Sequence, residues 1–186
     1  MKINILISIL ATCFSLAALA QVDVGDQAPE FSARDDANQL WNSSDYIGRN
    51  ILIVYFYPAA MTGGCTAQAC AFRDDKSKFD ALNAKVIGIS GDEVENLKYF
   101  KEAHNLNFPL LSDPEGKIAG KFGVQLKEGG SIVRNIGGTD ITLERGVTTS
   151  RWTFIIDKKG NVVYRNTEVN AAEDSKQTIE VIKNLR

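Results

Sequence analysis

The sequence predicts an α/β fold in which a central mixed β-sheet is flanked by helices. Residues 51–57 are all apolar or aromatic, which is typical of a strand covered on both faces of a sheet. Residues 85–90 form a second predicted strand, and the helical segment between the two indicates that the pair is parallel. Residues 152–157 and 161–165 favour two more strands, joined by a hairpin turn at Lys158-Lys-Gly160.

The first 20 residues are predicted to be a secretory signal peptide. A positive charge near the start precedes an apolar run that ends in small residues at Ala18 and Ala20. A single membrane anchor is the alternative, but the run is at the short limit for crossing a bilayer, so we expect no stable membrane insertion. Lipidation at Cys13 is disfavoured because Thr12 is larger than the residue such sites usually carry. We therefore expect residues 21–186 to form one exported domain in the bacterial periplasm.

The charge and the length of the chain indicate a single domain that does not bind nucleic acid. The chain has 21 basic and 23 acidic residues and a formal net charge of −2, which argues against nucleic acid as a partner. Its 186 residues are enough for one domain with a sizeable hydrophobic core.

The first half of the chain leads into and out of the central strand. Residues 23–50 form a largely polar segment whose few apolar side chains are expected to close one end of the core. These apolar residues are Leu40, Trp41, Tyr46 and Ile47. Pro58 ends the strand because it has no N–H for the ladder, and Thr62-Gly63-Gly64 then turns the chain into a segment with helical content over residues 65–82. Residues 93–104 carry apolar residues at helical spacing, which predicts an amphipathic helix.

The second half of the chain contains one segment whose structure the pattern does not decide. Residues 108–111 are too few to assign, and residues 116–124 predict a short helix. Residues 125–150 hold two Gly-Gly pairs with apolar residues between them, a pattern that fits both a long loop and a hairpin. A final helix is predicted to be capped by Asn170 with Glu173 as its capping-box partner. Its apolar face consists of Ile179, Ile182 and Leu185. This order of elements is that of a thioredoxin-like fold.

Two cysteines near the start of the first helix are the strongest chemical signal. Cys65 is expected in the first helical turn, where N–H groups without helical partners stabilise a thiolate. The alternative is that Cys65 is a small buried hydrophobic residue. On an intact helix the Cα atoms of Cys65 and Cys70 would lie about 8 to 9 Å apart, whereas a disulfide needs less than about 7 Å. A permanent bridge is therefore disfavoured, and a bridge that forms when the helix start unwinds is expected.

The sequence around these cysteines resembles a known enzyme family. Pro58-x-x-x-Thr62-x-x-Cys65 is similar to the active-site signature of peroxiredoxins, in the AhpC/TSA superfamily. The wider run through Cys70 resembles the bacterioferritin comigratory protein, or Q-type, branch. Further segments stand in the order expected for that branch, at residues 24–31, 112–116, 122–124 and 151–157.

The resemblance implies a role for each residue of the signature. Cys65 would be the peroxidatic cysteine that attacks peroxide, and Cys70 the resolving cysteine that condenses with its sulfenic acid. Thr62 would direct its hydroxyl toward sulfur and peroxide, or cap the helix, or do both. Pro58 would shield the thiolate from water, beside its role in ending the strand.

Arg151 is the cationic partner that the resemblance implies. Its permanent charge would stabilise the thiolate and the oxygen that leaves. Gln68 stands where many members of the family carry Glu, and its neutral amide could still hold the arginine. Gly63 replaces a proline that is common in the family, which should loosen the loop before Cys65.

These observations predict a thiol peroxidase that acts on hydrogen peroxide and organic hydroperoxides. We expect no cofactor or metal, a thioredoxin-like or other dithiol as reductant, and a monomer or homodimer. An exported thiol–disulfide oxidoreductase is an alternative, although such enzymes usually carry Cys-x-x-Cys. A metal carrier using both thiolates and His104 is a second alternative, although His104 at the end of a helix is expected to complement the helix dipole.

Overall fold

The computed structural model describes residues 21–185, so the predicted signal peptide lies outside the described part. The strands are β1 (Ser32–Asp35), β2 (Leu40–Asn42), β3 (Ile51–Phe56), β4 (Ala84–Ser90), β5 (Leu110–Ser112), β6 (Leu126–Ile136), β7 (Thr139–Thr149), β8 (Trp152–Ile156) and β9 (Val162–Asn166). The α-helices are α1 (Gly63–Asp74), α2 (Lys76–Ala81), α3 (Val94–His104), α4 (Lys117–Lys121) and α5 (Asp174–Asn184). A short 3₁₀ turn spans Ser43–Asp45.

A seven-stranded sheet forms the centre of the fold, with the order β2-β1-β5-β4-β3-β8-β9. Strand β3 pairs in parallel with β4 and antiparallel with β8, so the sheet is mixed, as predicted. All six residues of β3 are buried, which confirms a strand covered on both faces. The carboxyl end of this central strand is where the chain turns toward Cys65.

The two faces of the sheet carry separate hydrophobic clusters. Because successive side chains of a strand point to opposite faces, Ile53 and Tyr55 join one cluster while Leu52 and Val54 join the other. The first cluster packs against α1, α2, α3 and α5, and the second against α4 and the N-terminal segment. Trp41 is buried in the second cluster with Tyr46 and Ile47 packed on it, as expected, whereas Leu40 is exposed.

The predicted helical segment over residues 65–82 is divided into two helices. Asp75 has ψ of 5°, outside helical values, and separates α1 from α2. The predicted start of the last helix is wrong, because α5 begins at Asp174 with Glu173 at its N-cap. The Asn170 side chain instead accepts a hydrogen bond from the N–H of Ala172 in the turn before α5.

Residues 125–150 form a long hairpin rather than a loop. Strands β6 and β7 are 11 residues each and make a separate two-stranded sheet. Gly137 and Gly138 form its turn with φ of 60° and 89°, the left-handed values that a tight hairpin turn needs. The base of the hairpin is fixed to the main sheet, since the N–H of Gly146 donates to the carbonyl of Gly91 at 3.0 Å.

The prediction for the last helix is also wrong in one side chain. Ile179 and Ile182 of α5 are buried in the first cluster as expected, but Leu185 is exposed.

Within residues 21–185, no helix is long and apolar enough to cross a membrane.

Candidate active site

The loop that joins β3 to α1 is held by side chains from the end of β7 and from the turn after β4. Its first residue, Tyr57, accepts a 2.8 Å hydrogen bond at its carbonyl from Thr149 Oγ1 at the end of β7. Further along, the N–H of Ala60 donates to Asp92 Oδ2 at 2.8 Å, and Ser90 Oγ donates to the same oxygen at 2.7 Å. Burial raises the pKa of Asp92, and these two hydrogen bonds and the charge of Arg145 oppose the rise.

A third attachment of the loop comes from the long hairpin. Met61 has φ of 60°, a left-handed conformation that is uncommon outside glycine, just before Thr62. Arg134 of β6 donates from Nε to the carbonyl of Met61 at 2.9 Å. The hairpin thus stabilises the strained residue that aims the chain into α1.

Cys65 is the third residue of α1 and lies in its first turn, as predicted. Its side chain is only 1% exposed and belongs to the first hydrophobic cluster. A thiolate in such a place needs a positive partner within the protein, since little water reaches it.

Arg151 supplies that partner from the residue before β8. Its Nη2 lies 3.3 Å from the Sγ of Cys65, and its Nη1 donates to Oε1 of Gln68. The planar guanidinium therefore contacts the sulfur and the amide through two different nitrogens. Three of the residues expected from the sequence are brought together here.

Behind Gln68 lies a residue that sequence reasoning missed. Gln68 Nε2 donates to Oδ2 of Asp174 at 2.7 Å, and Thr153 Oγ1 donates to the same oxygen at 2.7 Å. Burial raises the pKa of Asp174, while these hydrogen bonds and the charge of Arg151 oppose the rise. The only sequence signal was an acidic residue next to the predicted start of the last helix.

Thr62 and Pro58 lie in the loop between β3 and α1 that leads to Cys65. Thr62 is the N-cap residue of α1, as the alternative predicted, but its side chain makes no capping hydrogen bond. Its hydroxyl donates instead to the carbonyl of Ala59 at 2.9 Å. Pro58 is half-buried directly after β3.

Cys70 lies on the same helix as Cys65 and is half-buried. Both are free thiols on the uninterrupted helix α1, where a spacing of five residues keeps their sulfurs apart.

His104 is the last residue of α3, and burial and the charge of Arg73 lower its pKa. In residues 21–185, no group of three or more His, Cys, Asp or Glu side chains could hold a metal ion.

Comparison with known proteins identifies the family. A model described as the AhpC/TSA family matches residues 24–165. The chain belongs to this family. It is 35% identical over 164 residues to the peroxiredoxin Bcp of Bacillus subtilis, an alignment that covers 88% of this chain and 97% of that protein.

Solved structures agree with this assignment. The peroxidoxin BcpB of Mycobacterium tuberculosis has a TM-score of 0.74 at 29% identity, with 89% of this chain and 99% of that one covered. A mutant PrxQ of Xylella fastidiosa has a TM-score of 0.75 at 22% identity, with 89% and 98% covered, and supports the fold. The chain is therefore a peroxiredoxin of the Bcp/Q type with a thioredoxin-like fold, and neither alternative function is favoured. Membership of this class implies a peroxide substrate and a thiol reductant.

Proposed function

We propose that this peroxiredoxin reduces hydrogen peroxide and organic hydroperoxides with Cys65 as the peroxidatic residue. The thiolate sulfur attacks one peroxide oxygen, and the S–O bond forms as the O–O bond breaks. The leaving hydroxide or alkoxide takes up a proton, so the peroxide is reduced while the sulfur becomes a sulfenic acid. The observation that carries this proposal is the 3.3 Å contact between Arg151 Nη2 and the buried sulfur.

Three neighbours assist the attack in this proposal. Arg151 stabilises the thiolate before the reaction and the negative oxygen that leaves. Thr62 turns its hydroxyl from the Ala59 carbonyl toward the bound peroxide, and Pro58 limits the access of water to the sulfur. Gln68 holds the guanidinium in place through the bond to Nη1.

Cys70 resolves the sulfenic acid in the second half of the cycle. Its thiol attacks the Cys65 sulfur, the S–S bond forms, and the hydroxyl leaves as water. The first turn of α1 must unwind for the sulfurs to meet, and Gly63 and Gly64 lower the cost of unwinding. A thioredoxin-like or other dithiol then reduces the bridge and is itself oxidised.

The place of action and the assembly complete the proposal. Residues 1–20 would direct export to a bacterial periplasm and be removed, which N-terminal sequencing of the exported protein tests by a start at Gln21. The domain would act as a monomer or homodimer, without cofactor and without nucleic acid.

Intact mass of the reduced protein after one equivalent of hydrogen peroxide tests the chemistry. We expect rapid peroxide consumption and a loss of about two mass units, which a Cys65–Cys70 disulfide gives. In Cys70→Ser the product should instead gain about sixteen mass units, as a sulfenic acid does. Full peroxidase turnover in Cys65→Ser would contradict the proposal.

A further inference from the structure

We infer that Asp174 is a positioning residue of this active site, which orients the Gln68 amide and thereby holds Arg151 beside Cys65. The inference rests on the proposed function, because it assigns Arg151 a task only if Cys65 reacts with peroxide. Asp174 reaches the sulfur through two intervening side chains and does not itself contact it.

Asp174 is fully buried, and the two hydrogen bonds that its Oδ2 accepts suit the carboxylate form. Its relative exposure is 0%, and its Oδ2 accepts both the Gln68 amide and the Thr153 hydroxyl. Oδ1 has no hydrogen-bond partner among residues 21–185, so neither oxygen faces an acceptor for a carboxyl proton. A buried carboxylate without compensation is costly, and the positive charge that opposes its desolvation is that of Arg151.

The carboxylate determines which end of Gln68 faces the arginine. An amide has one donor end and one acceptor end, whereas an ionised carboxylate only accepts and a guanidinium only donates. Asp174 therefore selects Nε2, and Oε1 is left for Arg151 Nη1. Without Asp174, the amide could rotate and present its NH₂ to the guanidinium, which would push Arg151 away from the sulfur.

In this arrangement the Gln68 side chain separates the Asp174 carboxylate from the Arg151 guanidinium. A glutamate at position 68 would pair directly with the guanidinium, but it would then meet the Asp174 carboxylate, and like charges in contact repel. Position 68 and position 174 therefore form a matched pair of one amide and one carboxylate. If Asp174 positions Gln68, the effects of substitutions at positions 68 and 174 depend on each other. If Asp174 has only a structural role, they do not.

The test is a double-mutant cycle on Gln68→Glu and Asp174→Asn. The measured quantities are the rate constant of Cys65 oxidation by hydrogen peroxide and the pH profile of Cys65 alkylation by iodoacetamide, in a Cys70→Ser background. Each single variant should lose about tenfold in rate and move its alkylation profile to higher pH, the size expected for one charged hydrogen bond. The double variant should recover to within about threefold of the parent. The carboxylate at position 68 then pairs with Arg151, and the amide at position 174 contacts that carboxylate without repelling it.

The alkylation profile depends on every charged or titratable group near this pair. Besides Cys70, which the background replaces, the groups that interact with Asp174 or with its neighbours are Arg151, Cys65, Tyr55, Tyr57 and Tyr164. None of them changes in the cycle, so a shift reports the altered pair.

Controls separate this inference from the proposed function and from folding. Asp113→Asn alters another buried carboxylate, which accepts from the backbone of α4, and should leave rate and profile unchanged. Additive losses in the double variant, or single variants indistinguishable from the parent, would overturn the role of Asp174 and leave the peroxidase proposal intact. Undiminished peroxide reduction by Cys65→Ser would instead overturn the proposed function itself.

Discussion

Gly64 sets how closely Arg151 can approach the start of α1. A Cβ at this position would lie 3.3 Å from Arg151 Nη2, whereas a Cβ at Gly63 would meet nothing within 4 Å. This distance is tighter than usual for a Cβ, so the guanidinium, which contacts Gln68 and Cys65, would have to shift by a few tenths of an ångström.

We expect Gly64→Ala to slow the oxidation of Cys65 about fivefold, since small displacements of a positioned group weaken catalysis. Stopped-flow mixing with hydrogen peroxide measures the rate. Gly63→Ala is the matched control, because it adds the same methyl group to the same helical turn without the contact. Equal rates in the two variants would show that the Arg151 contact is unimportant.

The Thr62 hydroxyl donates to the Ala59 carbonyl in the structure and is proposed to turn toward peroxide. Thr62→Val removes the donor and keeps the shape, so the oxidation rate should fall by about tenfold or more, as for a lost donor to a developing charge. Thr62→Ser keeps the hydroxyl and should stay within about threefold of the wild type. A Val variant as fast as the Ser variant would exclude the hydroxyl from the reaction.

The hairpin of β6 and β7 contacts the loop before α1 through Arg134. Its bond to the Met61 carbonyl supports a backbone conformation that costs roughly 1 to 2 kcal/mol for a residue other than glycine. We expect Arg134→Met to lower the oxidation rate about fivefold, since this bond is worth about 1 kcal/mol. The free energy of unfolding, measured by chemical denaturation, should change little.

Lys127→Met is the control for Arg134→Met, because Lys127 is an exposed cation on the same strand. It removes an equal charge far along β6 from Arg134. If both variants lose activity equally, net charge rather than the Met61 bond is responsible.

Helix α1 must open at its first turn before the two cysteines can bond. Alanine favours a helix over glycine by about 1 kcal/mol, so Gly63→Ala should slow disulfide formation by up to about fivefold. The preceding oxidation step should be unaffected. Quenched-flow alkylation and mass analysis separate the two steps, and an unchanged rate of disulfide formation would indicate that unwinding does not limit resolution.

The pattern of the sequence predicted most elements but not all of their ends. The central strand and the strand pair around Lys158-Lys-Gly160 were predictable because burial and turn residues are local signals. The start of α5 could not be predicted, because Asn170 and Glu173 are both suitable as the N-cap residue and tertiary packing determines which of them begins the helix. The break at Asp75 is likewise fixed from outside, since its side chain accepts from Ser175 of α5.

At the scale of the whole molecule, buried carboxylates make stability depend on pH. Asp92 is 2% exposed, and burial raises its pKa in the folded state. The folded protein therefore holds this proton at pH values where the unfolded chain has released it. The resulting contribution to the free energy of unfolding is complete below the ordinary pKa of about 3.9 and is lost as pH rises through the raised value.

Asp92→Asn removes this dependence while keeping an acceptor for Ala60 and Ser90. We expect the stability of the variant, relative to the wild type, to increase as pH rises from about 4 to 7. Urea denaturation across this range measures it, with Asp140→Asn as the control at an exposed carboxylate. A relative stability that falls with pH would contradict the assigned direction of the Asp92 shift.

The sequence by itself determined the central strand, the position of Cys65 in a first helical turn, and the motif that it shares with peroxiredoxins. These features follow from neighbouring residues, whose spacing is visible in the chain. The Arg151–Cys65 contact joins residues 86 positions apart, and it was expected only through the family resemblance. Only the tertiary structure revealed the tethers of Asp92 and Arg134, and the bond from Gln68 to Asp174 across 106 positions. The physical reason is that a polar side chain gains its role from the partner that packing brings to it, and no local pattern records that partner.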